Sequence, residues 1–298
     1  MKVLSLFDGI SCGRVALERA NIPVEVYHAF EIDPYAIQIS RQNWPEIVHK
    51  GDVTTADFAQ YRSFDLLMGG SPCQSLSIVQ SKTRQHLDGK SKLFFEYVRA
   101  KEEMAPKWFL FENVASMNDE SRKVISELLG CEPVFIDSAD FSAQTRPRLY
   151  WTNIPVDMNR LPSSSAKLAD VLLPADEVPE KYWYSYPLED VDLTKQVCAT
   201  LVHSNHDIHK RVFNPEFKCH TLTTMSGGNT QKKVLQNGRA RKLTPLEYER
   251  LQTLADNYTA GISDTRRYTA TGNGWTVDVI AWILSFIPRE EEVEAWML

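Results

Sequence analysis

The feature that most constrains the fold is a regular alternation of apolar runs with amphipathic segments along the first half of the chain. The apolar runs are typical of buried strands: KVLSLF, VEVYHAFEID, FDLLMGG and KWFLFENV. The segments after them have helical spacing: GRVALERAN, PYAIQISRQNW, LFFEYVRAKEEM and SRKVISELLG. Then EPVFIDSADF and RPRLYWTNIP are predicted to close the series as a strand pair. This alternation indicates βαβ units, so we predict an α/β fold with a mostly parallel sheet covered on both faces.

The texture of the sequence changes near residue 155. The stretch RLPSSSAKLADVLLPADEVPEKYWYSYP is rich in Pro and Ser and has no sustained helical or strand period. Two helical patterns, TPLEYERLQTLA and TVDVIAWILSFI, come later. We therefore predict a main domain over residues 1–155, a smaller irregular region over 156–243, and helices over 244–298 that return to the main domain.

Composition argues against several classes of protein. No run is long and apolar enough to span a bilayer, and the opening MKVLSLFDGI has no signal-peptide cleavage site, so we expect an intracellular protein without a membrane segment. The five cysteines are scattered without a C-x-x-C pair, which argues against a disulfide framework or a zinc site. A net charge of −6 argues weakly against a nucleic-acid coat protein, although a basic cleft can lie on an acidic protein.

Glycines and acids follow three successive predicted strands. Gly9 and Gly13 follow the first strand, Glu31 ends the second, and Asp52 begins the third unit. The carboxyl ends of parallel strands bind cofactors in α/β folds, and a carboxylate there can accept hydrogen bonds from ribose hydroxyls or an adenine amino group. Each acid alone is more often a surface or capping residue, but together they favour an adenosine-containing cofactor. Because the glycine spacing is not G-x-G-x-x-G, S-adenosylmethionine competes well with NAD.

A cysteine follows the next strand in the turn GGSPCQSLS. Cys73 is either a buried structural thiol, the commoner fate of a single cysteine, or a nucleophile on the same rim as the cofactor. Glu112 ends the following strand, where a buried carboxylate is costly unless it has a partner or a role in proton transfer. Arg146 and Arg148 lie on one face of the last strand if that strand is regular, and they would suit a phosphate or a polar base edge. A solvated ion pair is the alternative for either arginine.

The ordered series FDGISCG, FEIDP, GDV, GGSPCQSLS, FENV, QTRPRLYW, RKLTPLEYERLQ and GNGW resembles the motifs of the DNA cytosine-5 methyltransferases over nearly the whole chain. The block from GGSPCQSLSIV to FLFENVASMN is most similar to the catalytic domains of the animal de novo enzymes. RKLTPLEYERLQ resembles the bacterial and phage enzymes more. Two departures affect only the expected shape of the methionine pocket: Ser11-Cys12 replaces adjacent glycines, and GNGW replaces Gly-Asn-Ser-Val.

The resemblance implies a Rossmann-like catalytic domain that transfers a methyl group from S-adenosylmethionine to C5 of cytosine in double-stranded DNA. It implies that Cys73 attacks C6 of a flipped base, that Glu112 engages N3, and that Arg148 with Arg146 orients the base. The family binds its cofactor at the positions of Phe7, Asp8, Gly9, Ile10, Cys12, Glu31, Ile32, Asp52, Val53, Pro72, Asn273 and Trp275. No metal is implied.

Basic and polar side chains after the cysteine and in the 156–243 region are the expected DNA contacts. A charge run is usually only a solvated face, but with the resemblance TLTTMSGGNTQKK becomes the best candidate for a target-recognition loop. The expected DNA-binding residues are Ser77, Lys82, Arg84, Thr223, Thr224, Asn229, Gln231, Lys232, Lys233 and Arg241. The region is short, which favours a short or relaxed recognition site, and the oligomeric state is left open.

Three other functions are weighed against this one. An RNA methyltransferase would carry an extra Cys-Phe-Thr signature, which this sequence lacks. An inactive DNA-binding subunit is disfavoured because Cys73, Glu112 and Arg148 are all present. An NAD-dependent dehydrogenase lacks its glycine fingerprint. The absence of a regulatory domain in this sequence favours a bacterial or phage setting, such as a restriction-modification system.

Overall fold

The computed structural model describes residues 1–71, 93–201, 207–224 and 230–288, and the elements below belong to those ranges. In chain order the strands are β1 (Lys2–Leu6), β2 (Val26–Phe30), β3 (Val48–His49), β4 (Leu66–Gly69), β5 (Trp108–Val114), β6 (Val134–Asp137), β7 (Gln144–Thr145), β8 (Pro147–Thr152), β9 (Leu188–Glu189), β10 (Val197–Leu201), β11 (Arg211–Phe213), β12 (Cys219–His220), β13 (Lys233–Gln236) and β14 (Arg239–Lys242). The helices are α1 (Cys12–Arg19), α2 (Pro34–Asn43), α3 (Leu93–Met104), α4 (Asp119–Leu129), α5 (Asp207–Lys210), α6 (Pro245–Leu251), α7 (Asp264–Asn273) and α8 (Val277–Leu284).

The chain divides into two compact units. The first unit comprises Met1–Ile136, Pro147–Leu161 and Val277–Leu298, and the second comprises Asp137–Arg146 and Pro162–Thr276. These bounds differ from the three regions drawn from the sequence. Of the described helices after residue 243, α6 and α7 belong to the second unit and α8 belongs to the first. The functional assignment of the three regions stays a prediction.

The first unit is built on a seven-stranded sheet in the order β3-β2-β1-β4-β5-β8-β6. The pairs β2–β3, β1–β2, β1–β4 and β4–β5 are parallel, and β5–β8 is antiparallel. The predicted α/β class with a mostly parallel sheet is therefore confirmed. The predicted strand pair near residues 132–155 is present as β6 and β8, which are neighbours in the sheet.

Local sequence signals set the ends of the helices in the first unit. The Asp33 carboxylate accepts a hydrogen bond from the Tyr35 backbone N–H, and Pro34 occupies the first turn, where its missing N–H costs nothing. Asn118 caps α4 in the same way, and Gly130 ends that helix with a φ of 75°. Trp151 on β8 is fully buried in the apolar core, where its indole N–H donates to Ser126 of α4.

The second unit contains an ordered sheet where the sequence predicted an irregular region. Its five strands have the order β14-β13-β11-β10-β9. A capping box begins α6: the Thr244 hydroxyl accepts from the Glu247 backbone N–H, and the Glu247 carboxylate accepts from the Thr244 N–H. Among the helices that the structure describes, none is long and apolar enough to cross a bilayer.

Candidate active site

Five parallel strands of the first unit present their carboxyl ends at one edge of the sheet, and the predicted site residues lie along that edge. Phe7 follows β1, Glu31 follows β2, and Asp52 comes shortly after β3. Glu112 lies near the end of β5. The parallel registers of these strands bring Glu31, Asp52 and Glu112 to the same edge of the sheet, as expected.

The loop between β1 and α1 has an unusual backbone. Phe7, Gly9 and Ser11 have φ values of 57°, 59° and 61°, in the left-handed region that costs non-glycine residues about 1–2 kcal/mol each. A Cβ added at Gly9 would meet no atom within 4 Å, so the backbone there faces open space that a ligand can approach. The strain at Phe7 and Ser11 is the kind that a functional loop retains.

Asp8 holds this loop in place. Its carboxylate accepts hydrogen bonds from Tyr27 Oη at 2.7 Å and from Ser11 Oγ at 2.5 Å. Burial raises the pKa of the Asp8 carboxyl, while the bonds from Ser11, Ser5 and Tyr27 lower it. Asp8 therefore binds within the protein through its side chain, and its predicted contact with the cofactor stays a prediction.

Glu31 joins the ends of β1 and β2. Its Oε2 accepts from the Gly9 backbone N–H at 2.8 Å, and its Oε1 accepts from the N–H groups of Ile32 and Asp33. Ile32 is 71% exposed, so an apolar side chain stands uncovered beside a fixed carboxylate. Glu31 and Ile32 therefore lie where the sequence placed them, and their contacts with an adenosine-containing cofactor stay a prediction.

Asp52 is exposed and accepts hydrogen bonds from the backbone N–H and the hydroxyl of Thr54, which lower the pKa of its carboxyl. The predicted cofactor residues Ile10, Cys12 and Val53 have buried side chains, so a cofactor would reach them through their backbone atoms. Asn273 is exposed at the end of α7 and Trp275 is half-buried, both in the second unit.

Glu112 and Arg148 form the central ion pair of the candidate site. Arg148 Nε lies 2.7 Å from Glu112 Oε1, and both side chains are 12% exposed. Arg148 also donates from Nη1 to the Pro147 carbonyl. The carboxylate predicted to need a partner has one, and its position at the end of β5 is fixed by the neighbouring strand β8.

Arg146 has different surroundings from Arg148. It lies between β7 and β8, so no regular strand carries both arginines, and it belongs to the second unit. Its buried guanidinium donates to the carbonyls of Leu222, Gly272 and Gly274. These bonds hold the backbone just before Thr223 and Thr224, and the predicted contact of Arg146 with the base stays a prediction.

The expected DNA-binding residues of the second unit divide by exposure. Thr223 and Thr224 are exposed, whereas Gln231 and Lys232 are half-buried. Arg241 is 0% exposed, and its guanidinium donates to both carboxylate oxygens of Glu247, at 2.6 Å from Nη2 and 2.8 Å from Nη1. Lys233 is 1% exposed and donates to the Gln231 carbonyl. The prediction that Arg241 and Lys233 contact DNA phosphates is therefore wrong, because both side chains are buried.

Several predicted residues lie outside the described ranges: Pro72, Cys73, Ser77, Lys82, Arg84 and Asn229. The sequence missed other residues that shape the site: Tyr27 bonds to Asp8, Ser40 bonds to Ser11, and His49 bonds to Ser40. None of the three belongs to a motif, so only the folded contacts reveal them.

The mostly parallel sheet, with acids at its carboxyl edge and a Glu–Arg pair between β5 and β8, has the Rossmann-like fold of the methyltransferase type. Residues 1–182 and 189–289 match the model of the protein family described as "C-5 cytosine-specific DNA methylase". The chain belongs to this family and is a DNA cytosine methyltransferase.

Similar proteins come from phage, bacteria and a protist. The "Orphan methyltransferase M.SPRI" of Bacillus phage SPR is 34% identical over 170 residues, which is 53% of this chain and 38% of that protein. The "Type II methyltransferase M1.ScrFI" of Lactococcus lactis subsp. cremoris is 29% identical over 94% of this chain and 76% of its own. The solved structure of the Entamoeba histolytica methyltransferase EhMeth covers 96% of this chain and 97% of its own, with 19% identity and a TM-score of 0.75, and shows the same fold.

Proposed function

We propose that this chain transfers a methyl group from S-adenosylmethionine to C5 of cytosine in double-stranded DNA, through a covalent bond between Cys73 and C6 of a flipped base. The observation that carries the proposal is the Glu112–Arg148 pair at the carboxyl end of β5, in a chain of the cytosine-5 family. The pair supplies a fixed carboxylate at the edge where the acids for an adenosine cofactor also lie.

The chemistry requires both a thiol and a carboxyl group. C5 of cytosine is a poor nucleophile until a thiolate adds to C6, because that addition turns C5 into an enamine-like carbon. In the proposed reaction the Cys73 thiolate forms the bond to C6 while Glu112 provides a proton to N3. After the methyl group has moved to C5 and S-adenosylhomocysteine is left as the product, a water or hydroxide from solvent takes the C5 proton. The electron pair of the C5–H bond re-forms the C5–C6 double bond while the C6–S bond breaks, and Cys73 leaves as the thiolate. Glu112 then recovers the proton from N3.

The other cysteines support this choice of nucleophile. Burial raises the pKa of the thiols of Cys131 and Cys198, and that of Cys219 to about 12. Cys12 is also buried. A nucleophile needs an accessible thiolate, which burial withholds from Cys12, Cys198 and Cys219 and which the raised pKa disfavours for the half-buried Cys131. Cys73, in the sequence GGSPCQSLS, is the remaining cysteine of the five.

The residues at the sheet edge fit the proposed cofactor. We expect Glu31 to accept from the ribose hydroxyls, Asp52 to accept from the adenine amino group, and Ile32 to cover the purine ring. The open backbone at Gly9 would admit the methionine moiety, with Asn273 and Trp275 as further proposed contacts. When bound, S-adenosylmethionine supplies the electrophilic methyl group.

The proposed DNA contacts are the exposed threonines of TLTTMSGGNTQKK and the basic loop after Cys73. Thr223 and Thr224 are exposed, and their hydroxyls can hydrogen-bond to base edges. Lys82 and Arg84 would neutralise phosphates and make binding depend on salt. Extrusion of the base costs a few kcal/mol, which these contacts have to offset.

The proposal is tested by incubating the protein with DNA and S-adenosylmethionine and mapping 5-methylcytosine by bisulfite sequencing, with Cys73→Ala as the matched control. We expect methylation at a short site by the wild type and none by the variant. DNA that contains 5-fluorocytosine in that site should become covalently bound to the wild type. Methylation by Cys73→Ala at the wild-type rate would contradict the covalent step.

A further inference from the structure

A line of buried and half-buried polar side chains runs from the loop after β1 to strand β3. Ser11 Oγ lies 2.5 Å from Asp8 Oδ2 and 2.6 Å from Ser40 Oγ, and Ser40 Oγ lies 3.2 Å from His49 Nε2. Both serines are completely buried. We call these four residues the Asp8–His49 relay. All four belong to the first unit.

The direction of the hydrogen bonds in the relay follows from the number of protons. When the Asp8 carboxyl is ionised it only accepts, so the single Ser11 hydroxyl proton then goes to Asp8. Ser11 then has no proton for Ser40, and Ser40 must donate to Ser11. Because the Ser40 proton is used in that bond, His49 must donate from Nε2 to Ser40. A carboxylate on the first strand loop thus fixes the tautomer of a histidine on β3.

The surroundings of His49 agree with this tautomer. Its Nδ1 is buried and has no hydrogen-bond partner among the described residues. A buried N–H without a partner costs more than a buried lone pair in an aromatic ring, so the proton belongs on Nε2. Burial lowers the pKa of His49, as does the charge of Arg41, while Glu31 acts in the opposite direction, and the imidazole is neutral near pH 7.

The two ends of the relay lie beside two parts of the proposed cofactor site. Asp8 precedes Gly9, whose N–H donates to Glu31, and His49 lies shortly before Asp52. The loop that contains Asp8 also includes the left-handed residues Phe7 and Ser11, which need external support to keep their conformation. The relay supplies that support from β3.

We propose that Ser40 and His49 are positioning residues for cofactor binding, which hold the Asp8 carboxylate and the strained loop through a directed chain of hydrogen bonds. The inference rests on the proposed function for the identity of the cofactor, S-adenosylmethionine. It does not depend on any catalytic step.

The first test measures the affinity for S-adenosylhomocysteine by isothermal titration calorimetry. His49→Leu removes the donor to Ser40 and should weaken binding about tenfold, in line with the loss of one hydrogen bond to a buried polar network. His49→Gln retains an N–H at the Nε2 position and should stay within about threefold of the wild type. The matched control is His28→Leu on the neighbouring strand, which lies outside the relay and should leave the affinity unchanged.

The second test reads the tautomer directly from the ¹⁵N chemical shifts of His49 in the free protein. We expect the Nε2–H form in the wild type. Asp8→Asn places an amide donor next to Ser11, which reverses the relay and should move the His49 proton to Nδ1. An Nδ1–H form in the wild type would overturn the inference, and this measurement also decides the matter if His49→Leu does not fold.

The proposed cofactor and the proposed positioning by the Asp8–His49 relay can be disproved separately. If the wild type binds no S-adenosylhomocysteine, the proposed cofactor is wrong, whatever the tautomer of His49. If the wild type binds it and His49→Leu binds equally well, the relay does not position the loop. A loss of affinity in His49→Leu that His49→Gln restores would support the proposal.

Discussion

Glu112 on β5 and Arg148 on β8 are diagonal neighbours across an antiparallel strand pair. Glu112 stands opposite Tyr150, and Arg148 precedes Tyr150 by two positions, so both side chains point to the same face of the sheet. Diagonal partners are about 7–8 Å apart at this register, a distance that only two long side chains can bridge. The strand register therefore selects an arginine and a glutamate for this contact.

This geometry predicts the effect of changing either partner. Glu112→Gln removes the proton donor without changing the shape of the side chain, and we expect the methylation rate to fall about 100-fold or more. Arg148→Lys lacks the Nε donor and should also lower the rate, because Glu112 loses its fixed position. Rates would be measured with a tritiated cofactor, and thermal melts would show that both variants fold. An unchanged rate in Glu112→Gln would remove Glu112 from the mechanism.

The buried Arg241–Glu247 pair should control stability and not DNA affinity. Removing one partner leaves an uncompensated buried charge, so Glu247→Gln is expected to lower the free energy of unfolding by about 3–5 kcal/mol. Urea unfolding would measure the loss. The double variant Arg241→Met/Glu247→Leu should recover much of it, because it leaves no buried charge behind. A double variant less stable than Glu247→Gln would contradict the expected recovery of stability.

Gly272 is required by a close approach of two backbones. A Cβ at this position would lie 2.5 Å from the carbonyl oxygen of Thr223 and 2.9 Å from the backbone N of Thr224. Gly272→Ala should therefore displace the exposed threonines and reduce DNA methylation and stability together. The control is Gly238→Ala, where a Cβ would meet open space and only the φ of 75° opposes the change. Gel-shift affinity and thermal melts of both variants would separate the two effects.

Lys233 should make stability depend on pH in one direction. Burial, together with the charges of Lys242 and Lys232, lowers the pKa of its ammonium group to about 7. Between pH 7 and the pKa near 10.4 of an unfolded lysine, the unfolded chain binds a proton that the folded chain does not, so this residue makes the protein more stable as pH rises. Below pH 7 both states bind the proton, and the dependence ends.

The direction of this pH dependence is tested by comparing the stability of the wild type with that of Lys233→Met. The difference in free energy of unfolding between the two proteins should shrink from pH 7 to pH 9.5, with the variant more stable at pH 7. The comparison cancels the titration of other groups. A difference that stays constant over this range would mean that Lys233 keeps its proton in the folded protein.

The sequence was sufficient for the main sheet because long apolar runs and amphipathic helices carry strong periodic signals. β5 and α3 have nearly the bounds that their patterns predicted. The second sheet was missed because β9 and β11 have only two or three residues each, too few to show a period of two. The helix DTRRYTATGN was missed because threonine and glycine are weak helix formers, and its stability comes from packing.

The candidate site shows the same division. Glu31 and Glu112 were predicted because each acid interrupts or ends an apolar strand. Arg241 and Lys233 were predicted to bind DNA because the sequence does not show whether a charged side chain is buried. The sequence around Glu247, the partner of Arg241, is that of an ordinary exposed helix residue. Contacts between segments that are distant in sequence decide such cases.

The chain passes between its two units at four places, after Ile136, Arg146, Leu161 and Thr276. The short segment Asp137–Arg146 belongs to the second unit and contains β7. There Gln144 pairs with Cys219 and Thr145 pairs with His220, both on β12. The β7–β12 pair therefore joins two segments of the second unit that are separated in the sequence by Pro147–Leu161. Replacement of residues 162–276 alone by those of a relative would pair the β7 of one protein with the β12 of the other, and only a replacement that includes Asp137–Arg146 keeps both strands from one source.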